Sequence, residues 1–171
     1  MAELTRLHPL EQICGELGAR SNPAVSITAE PYLAMVDVRL RIDAPAPTVL
    51  GSRLPATPNT WVAAGSGHAV WLAPGEWLMI STASAPDELE YQVGETVRPL
   101  GGAVVDVSAQ RIGVRIAGTR AREVLAKGCS IDLHPRVFVP GSATQTTVIP
   151  ATTTENPCGA WEKGIRSKFM P

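Results

Sequence analysis

The chain has 171 residues, of which 44% are hydrophobic and 18% are charged, and its formal net charge is −1. This length predicts one domain, or two very small ones that share a core, and the composition excludes an intrinsically disordered chain. The balanced charge gives no electrostatic basis for binding nucleic acid or an anionic membrane. No apolar run reaches the roughly 18 residues of a membrane span, and the start, MAELTRLHPLEQ, lacks the apolar stretch of a signal peptide.

Cysteine and histidine usage bounds the compartment and the metal chemistry. The chain contains three widely spaced cysteines, Cys14, Cys129 and Cys158. An odd number without CxxC spacing fits a reducing compartment and predicts neither a disulfide framework nor a zinc site. The three histidines also lack metal-ligand spacing: His8, His68 and His134. We therefore expect a cytoplasmic protein without a metal site.

In the first half of the chain, the apolar pattern predicts two short helical segments and two hairpins. Residues 8–20 carry apolar side chains at helical spacing and predict a short amphipathic helix. Residues 25–28 and 34–42 are predicted strands, and the proline break between them predicts a hairpin. Residues 48–54 predict two helical turns. Residues 69–80, AVWLAPGEWLMI, predict a second hairpin, because proline followed by glycine is typical of a type II turn.

The second half of the chain predicts a helix and then a strand–strand–helix unit. Pro86 suits the first helical position, and apolar residues follow at helical spacing up to Leu100. The best-formed segment is 104–133, within which residues 111–116 alternate between apolar side chains and arginine or glycine. This alternation is typical of a half-buried strand. A helix follows in the same segment, and residues 136–139 predict another short strand.

Hairpins with helices inserted between them favour the α+β class, with a mainly antiparallel sheet, over a doubly wound parallel sheet. We expect an N-terminal helical segment over residues 1–24, an α+β domain over 25–146 and a tail over 147–171. The tail lacks both periodicities and is rich in threonine and turn residues. We therefore expect it to be loosely ordered.

Cys129, Asp132 and His134 lie close in sequence and suggest a thiol nucleophile with an imidazole base. Such a nucleophile needs its base within hydrogen-bond reach and a third group that orients the base, which proximity in sequence does not supply. Cys129 also follows the C-terminal end of a predicted helix, where the helix dipole disfavours a thiolate. A small buried cysteine is the favoured interpretation, so we expect no catalytic residue here.

Asp106 and Ser108 share one face of the strand that is predicted to end at Ser108. A carboxylate at a strand end could hold the N–H groups of a heterocycle such as a pterin. It could equally cap the turn before Arg111 or pair with Arg115. The structural alternatives are favoured.

Arginines and tryptophans supply the candidates for a contact with a partner. Four arginines point away from the apolar faces of their predicted strands: Arg39, Arg41, Arg111 and Arg115. Solvated strand faces explain them, and a sheet face that meets acidic patches of a partner is the alternative. The four tryptophans are mostly core candidates, although a tryptophan-rich hairpin can anchor an interface: Trp61, Trp71, Trp77 and Trp161. The interface candidates are Trp71, Trp77, Arg111 and Arg115.

Three segments carry a resemblance to a known family. The hairpin AVWLAPGEWLMI resembles the WLGPDEWLL hairpin of the gamma subunit of heterotetrameric sarcosine oxidase. The likeness continues in order through VVDVSAQRIGVRIAG and then AREVLAKGCSIDLHPRVFVPG with the following Thr-Gln-Thr. The earlier segments VDVRLRI and RLPATPNTW match the family's usual order, so the resemblance covers about Thr28 to Thr146.

The resemblance implies a small subunit with a fold akin to the folate-binding domain of aminomethyltransferases. It implies a complex with alpha, beta and delta subunits that uses oxygen and tetrahydrofolate to demethylate sarcosine to glycine. The products would include hydrogen peroxide and either methylenetetrahydrofolate or formaldehyde. FAD, FMN, NAD and tetrahydrofolate are then expected in the partner subunits, with no cofactor and no catalytic residue on this chain. The alpha subunit is the partner expected to contact it most directly.

The alternative is a stand-alone folate-binding protein of the same fold, active in one-carbon transfer or repair, with Asp106 as its pterin partner. One departure bears on the resemblance. The family normally continues past the Thr-Gln-Thr with apolar strands and ends in an Arg-Ser-Phe segment that opens a helix. Here the chain continues as TTTENPCGAWEKG. We therefore expect a truncated or frame-shifted C-terminus.

Overall fold

A computed structural model of the chain describes residues 9–146, except 31, 42 and 44, together with residues 168–169. This part contains the helices α1 (Glu11–Arg20), α2 (Pro86–Val97) and α3 (Ala121–Ala126). Its strands are β1 (Ser26–Glu30), β2 (Ala34–Arg39), β3 (Thr48–Val49), β4 (Ser52–Arg53), β5 (Trp61–Ala64), β6 (Gly67–Ala73), β7 (Glu76–Ser81), β8 (Ala103–Asp106), β9 (Gly113–Ala117), β10 (Ala143–Thr144) and β11 (Lys168–Phe169). Short 3-10 helices span Arg98–Leu100 and Ser108–Gln110.

Five strands form an antiparallel sheet in the order β5-β6-β7-β2-β8. β2 lies between β7 and β8, so that Val36 pairs with Met79 on one side and with Asp106 on the other. β6 and β7 form the predicted hairpin around Pro74-Gly75. The predicted α+β class with a mainly antiparallel sheet is confirmed.

Helix α2 covers one face of this sheet and forms the larger core with it. Its residues Leu89, Val93 and Val97 are at most 1% exposed, because spacings of four put them on one side of the helix. They pack with the β2 residues Val36 and Val38, which share one face of their strand. Full burial of such a side chain contributes about 1.5–3 kcal/mol.

A second apolar cluster covers the opposite face of the sheet. It includes Met35, Leu78 and Ile80 from the central strands, joined by Val107 and Ala143. Because β7 is covered on both faces, its consecutive residues are apolar rather than alternating. The two clusters hold the central strands in place on both sides.

β1 and β9 form a separate two-stranded antiparallel ribbon, with Ile27 opposite Ile116. The predicted hairpin of residues 25–28 with 34–42 is therefore wrong, because β2 pairs with β7 and β8 instead. Tyr32 adopts φ 43° at the corner where the chain leaves the ribbon for the sheet. No Asn-Gly type turn stands at this connection to hold the two strands together.

Residues 48–54 form a small hairpin rather than the predicted helical turns. β3 and β4 pair in antiparallel fashion, with Thr48 opposite Arg53. Leu50 and Gly51 between them have φ values of 48° and 80°, as a type I′ turn requires. The β-branched residues before this turn favour the extended conformation over a helix.

The C-terminal predictions have mixed outcomes. The predicted strand at 136–139 is wrong, because the backbone N–H groups of Val137 and Phe138 both donate to the carbonyl of His134 and form a turn. The predicted tail at 147–171 lies outside the described residues, apart from Lys168–Phe169. These two residues pair with Ala143–Thr144.

His68 in β6 should make the stability of the fold depend on pH. Its imidazole is half-buried and meets the ring of Trp61 edge-on, with the ring centroids 4.6 Å apart. Burial lowers the pKa of His68 below its ordinary value of 6.5. The unfolded chain therefore takes up a proton here more readily than the folded chain. The free energy of unfolding should fall as the pH drops below about 6.5.

Urea denaturation of the full chain at about pH 7.5 and about pH 5.5 measures this effect. A His68→Gln variant keeps a polar side chain without the titration, so it should lose part of the pH-dependent difference in unfolding free energy. If wild type and variant show the same difference, the burial of His68 does not contribute to the pH dependence.

Candidate functional site

A cavity of about 400 Å³ opens where the β1–β9 ribbon meets the five-stranded sheet. Its polar lining comes from Glu30 and Tyr32 at one end of the ribbon, from Asp106 at the end of β8, and from Ser108, Gln110 and Arg111 between β8 and β9. The apolar lining includes Leu33, Met35, Pro86 and Ile112. A cavity of this size with a few polar groups among apolar ones is typical of a binding site.

Asp106 closes the turn that follows β8. Its Oδ1 accepts hydrogen bonds from the backbone N–H of Ser108 at 2.9 Å and from the Ser108 hydroxyl at 2.6 Å. The Ser108 Oγ in turn accepts a hydrogen bond from the backbone N–H of Met35 at 2.9 Å, which ties the turn to the start of β2. The turn-capping role expected for Asp106 is present, whereas Arg115 pairs with Glu30 instead.

Arg111 differs from the other candidate arginines in its surroundings. The other three are exposed and form ion pairs: Arg39 with Glu76, Arg41 with Asp43 and Arg115 with Glu30. The hydrogen bond from Arg41 lowers the pKa of Asp43, yet exposed pairs of this kind contribute little to stability. Arg111 is half-buried, and its Nη1 is fully buried without a hydrogen-bond acceptor among the described residues.

Cys129, Asp132 and His134 do not assemble into a thiol–imidazole pair in this structure. The Cys129 Sγ lies 3.8 Å from the Thr146 hydroxyl. The Asp132 carboxylate accepts a hydrogen bond from the backbone N–H of His134 at 2.8 Å, so it caps a turn and is not bonded to the imidazole. The His134 Nδ1 accepts from the backbone N–H of Arg136 at 3.2 Å. These contacts are those of a structured exit from α3.

The two tryptophans of the β6–β7 hairpin face each other across the strands. Trp77 is only 4% exposed, and its indole N–H donates to the carbonyl of Pro55 at 2.7 Å. Trp77 is therefore a core residue and presents almost no surface to a partner. Trp71 is half-buried and packs against the same core. Trp161 lies outside the described residues.

Exposed apolar side chains flank the cavity. Tyr32 is 51% exposed, and Ile112 and Val114 are each 40% exposed. The alternation of residues 111–116 predicts that this face is buried, but only its Ile116 end is covered, by Leu125 and its neighbours. The alternation of residues 111–116 does not show which part of this face is covered, because the residues that cover Ile116 belong to other segments of the chain.

The described residues add no metal or membrane site. Nowhere among them do three His, Cys, Asp or Glu side chains come close enough to hold a metal ion. The described helices include none that is long and apolar enough to cross a membrane.

Sequence reasoning identified Asp106 and Arg111 separately and missed the cavity that both residues line, because its lining comes from segments distant in the chain.

Comparison with known proteins identifies the relatives of the chain. The model of the sarcosine oxidase gamma subunit family matches residues 41–170, a span that includes most of the tail. The chain is 38% identical over 125 residues to sarcosine oxidase subunit gamma of Arthrobacter sp, and 35% identical over 125 residues to that of Corynebacterium sp. (strain P-1). Each match covers 71% of this chain and 57% of the relative. The chain thus spans a little over half the length of the curated relatives it matches.

A solved structure supports the same relationship. The chain is similar to a chain of the heterotetrameric sarcosine oxidase from Corynebacterium sp. U-96, solved in complex with pyrrole 2-carboxylate. The TM-score is 0.72 at 26% identity, and the match covers 84% of this chain and 76% of that chain. The resemblance to the sarcosine oxidase gamma subunit is confirmed. This chain belongs to the sarcosine oxidase gamma subunit family.

Proposed function

We propose that this chain is a non-catalytic subunit of a heterotetrameric sarcosine oxidase and works by assembling with the alpha, beta and delta subunits, alpha most directly. The observation that carries the proposal is the structural similarity to a chain of such a heterotetramer, at a TM-score of 0.72 over 84% of this chain. Tyr32 and Ile112, which line the cavity and are exposed, support a role in assembly, because exposed apolar surface often marks a contact with another protein.

In this proposal the complex converts sarcosine, oxygen and water to glycine, hydrogen peroxide and formaldehyde, or methylenetetrahydrofolate when tetrahydrofolate accepts the carbon. FAD, FMN, NAD and tetrahydrofolate bind to the partner subunits, in the cytoplasm. The contacts of Cys129 and Asp106 within the described residues support a chain without catalytic residues, because the thiol contacts the Thr146 hydroxyl and the carboxylate closes a turn.

Co-expression of the full chain with and without the alpha, beta and delta subunits tests the proposal. We expect the chain to co-elute with its partners in size-exclusion chromatography, and sarcosine-dependent peroxide formation to require the assembled complex. Elution of the chain apart from the other subunits, combined with tight tetrahydrofolate binding by the isolated chain, would instead support the stand-alone folate protein.

A further inference from the structure

β8 forms one edge of the five-stranded sheet, and its outer side is open among the described residues. In the order β5-β6-β7-β2-β8, this strand pairs with β2 on one side, and no described strand pairs with it on the other. The opposite edge is partly covered. There the backbone N–H of Trp61 in β5 donates to the carbonyl of Gly141, and the N–H of Ala143 donates to the carbonyl of Asn59.

The backbone of β8 directs two pairs of hydrogen-bonding groups outward. The N–H of Val107 donates to the carbonyl of Met35 at 2.9 Å, which fixes the alternation of the ladder between β8 and β2. In this register Val105 bonds to β2, whereas the N–H and C=O groups of Val104 and Asp106 point away from β2. No described residue bonds to these four groups. Their arrangement is the one that an added strand uses.

The side chains of β8 do not protect this edge. Natural proteins block exposed edges with charged side chains, proline or a bulge. β8 has the sequence AVVD, and its register with β2 is unbroken. Its one carboxylate, that of Asp106, accepts two hydrogen bonds from Ser108 in the turn that follows. Val105 is 56% exposed, although valine is a residue that favours a packed strand surface.

We propose that an extended segment of a partner subunit pairs with β8 and adds a sixth strand to this sheet. This inference rests on the proposed function, since it needs a complex. The segment would bond to the outward groups of Val104 and Asp106, and it would place an apolar side chain beside Val105.

Two observations favour a partner subunit over the other sources of a strand. Four residues of strand edge bury only a part of the roughly 1,200 Å² that a stable interface requires, so β8 alone would not hold a second copy of this chain. A larger contact, as in a complex of several subunits, has to surround the pairing. The described residues that flank 147–167 pair at β10, which bonds beside β5 at the opposite edge.

An assembly measurement with three variants tests the pairing. The full chain, as wild type, Val105→Lys, Val105→Thr or Val137→Lys, is co-expressed with the other subunits and recovered through a tag on the alpha subunit. Val105→Lys should weaken assembly by about tenfold or more, because a lysine on an edge strand disfavours an added strand. Val105→Thr keeps a β-branched side chain and should assemble nearly as wild type does. Val137 is 63% exposed in a turn outside β8, so Val137→Lys should also assemble as wild type does.

Hydrogen exchange separates strand pairing from a contact of side chains alone. The backbone N–H of Asp106 points outward, so its exchange should slow by about tenfold or more when the chain assembles. The N–H of Val105 bonds to β2 and should be protected in the free chain as well. Unchanged exchange at Asp106 on assembly would overturn the pairing, even if Val105→Lys weakens assembly.

The outcomes separate this inference from the proposed function. If wild type itself does not assemble, both fail. If Val105→Lys assembles as tightly as wild type, or if Val137→Lys weakens assembly equally, only the pairing at β8 fails. Should circular dichroism show that Val105→Lys is unfolded, exchange at Asp106 in wild type decides instead. A free wild-type dimer that Val105→Lys converts to a monomer would assign the edge to a second copy and overturn the proposal.

Discussion

Replacing Trp77 with alanine should lower the free energy of unfolding by about 3–5 kcal/mol, the range for removing a large aromatic side chain from a core. Trp77 is 4% exposed and packs with the α2 side of the sheet. Its indole N–H donates to the Pro55 carbonyl at 2.7 Å, so the substitution also leaves that acceptor without its donor. Urea denaturation of the full chain, monitored by far-UV circular dichroism, measures the loss.

Two further variants separate the causes of this effect. Trp77→Phe keeps much of the ring and loses the hydrogen bond to Pro55, so it should cost less than Trp77→Ala. Trp71→Ala removes the half-buried tryptophan on the opposite strand and should cost about 1–2 kcal/mol. Equal losses for Trp71→Ala and Trp77→Ala would contradict the difference in burial between the half-buried Trp71 and the buried Trp77.

A Gly67→Ala substitution, which adds only one methyl group, should strongly destabilise the central sheet. A Cβ at Gly67 would collide with the carbonyl oxygen of Ile80 and stand 3.0 Å from the Cα of Ser81. Both contacts are with the backbone of β7, which cannot move aside as a flexible side chain would. We expect a loss of at least about 2–3 kcal/mol in unfolding free energy, together with faster hydrogen exchange along β6.

Gly15→Ala is the matched control for this change. Gly15 lies in α1 without a positive φ, and a methyl group added there would meet no neighbouring atom within 4 Å. The same substitution there should be neutral or stabilising by up to about 1 kcal/mol, because alanine favours a helix over glycine. A Gly67→Ala chain as stable as wild type would show that β6 and β7 do not approach as closely as described.

The elements that were predicted correctly are those in which several local signals agree. In the β6–β7 hairpin, apolar runs flank a proline–glycine turn, so the turn and the strands specify the same structure. In α2, Pro86 begins the helix, and Leu89, Val93 and Val97 follow on one side. In both segments the local signals were enough to predict the element, and the structure confirms the hairpin and the helix.

Pairing between distant segments could not be predicted in the same way. The alternation of residues 111–116 is correct as a description of a strand, but alternation does not identify the partner strand. β9 pairs with β1, which lies more than eighty residues earlier, as the Glu30 and Arg115 ion pair reflects. For residues 48–54, the two left-handed residues of the turn decide the structure, and leucine at one of them is not a turn signal.

The candidate site shows the same division. Sequence reasoning identified Arg111 as a residue on the polar side of a strand, whereas the structure shows a half-buried residue of the cavity wall whose Nη1 is shielded from solvent. Asp106 was weighed as a turn cap, and its two bonds from Ser108 match that role. The cavity itself depends on the corner at Tyr32, whose φ of 43° brings the ribbon against the sheet and has no counterpart in the residue pattern.

Native mass spectrometry of the purified sarcosine-oxidising complex tests most directly whether this chain acts as a subunit. We expect a heterotetramer that contains one copy of this 18.1 kDa chain together with the alpha, beta and delta subunits, and that breaks up when the chain is withheld. A fully active complex whose mass leaves no room for this chain would contradict the proposed role.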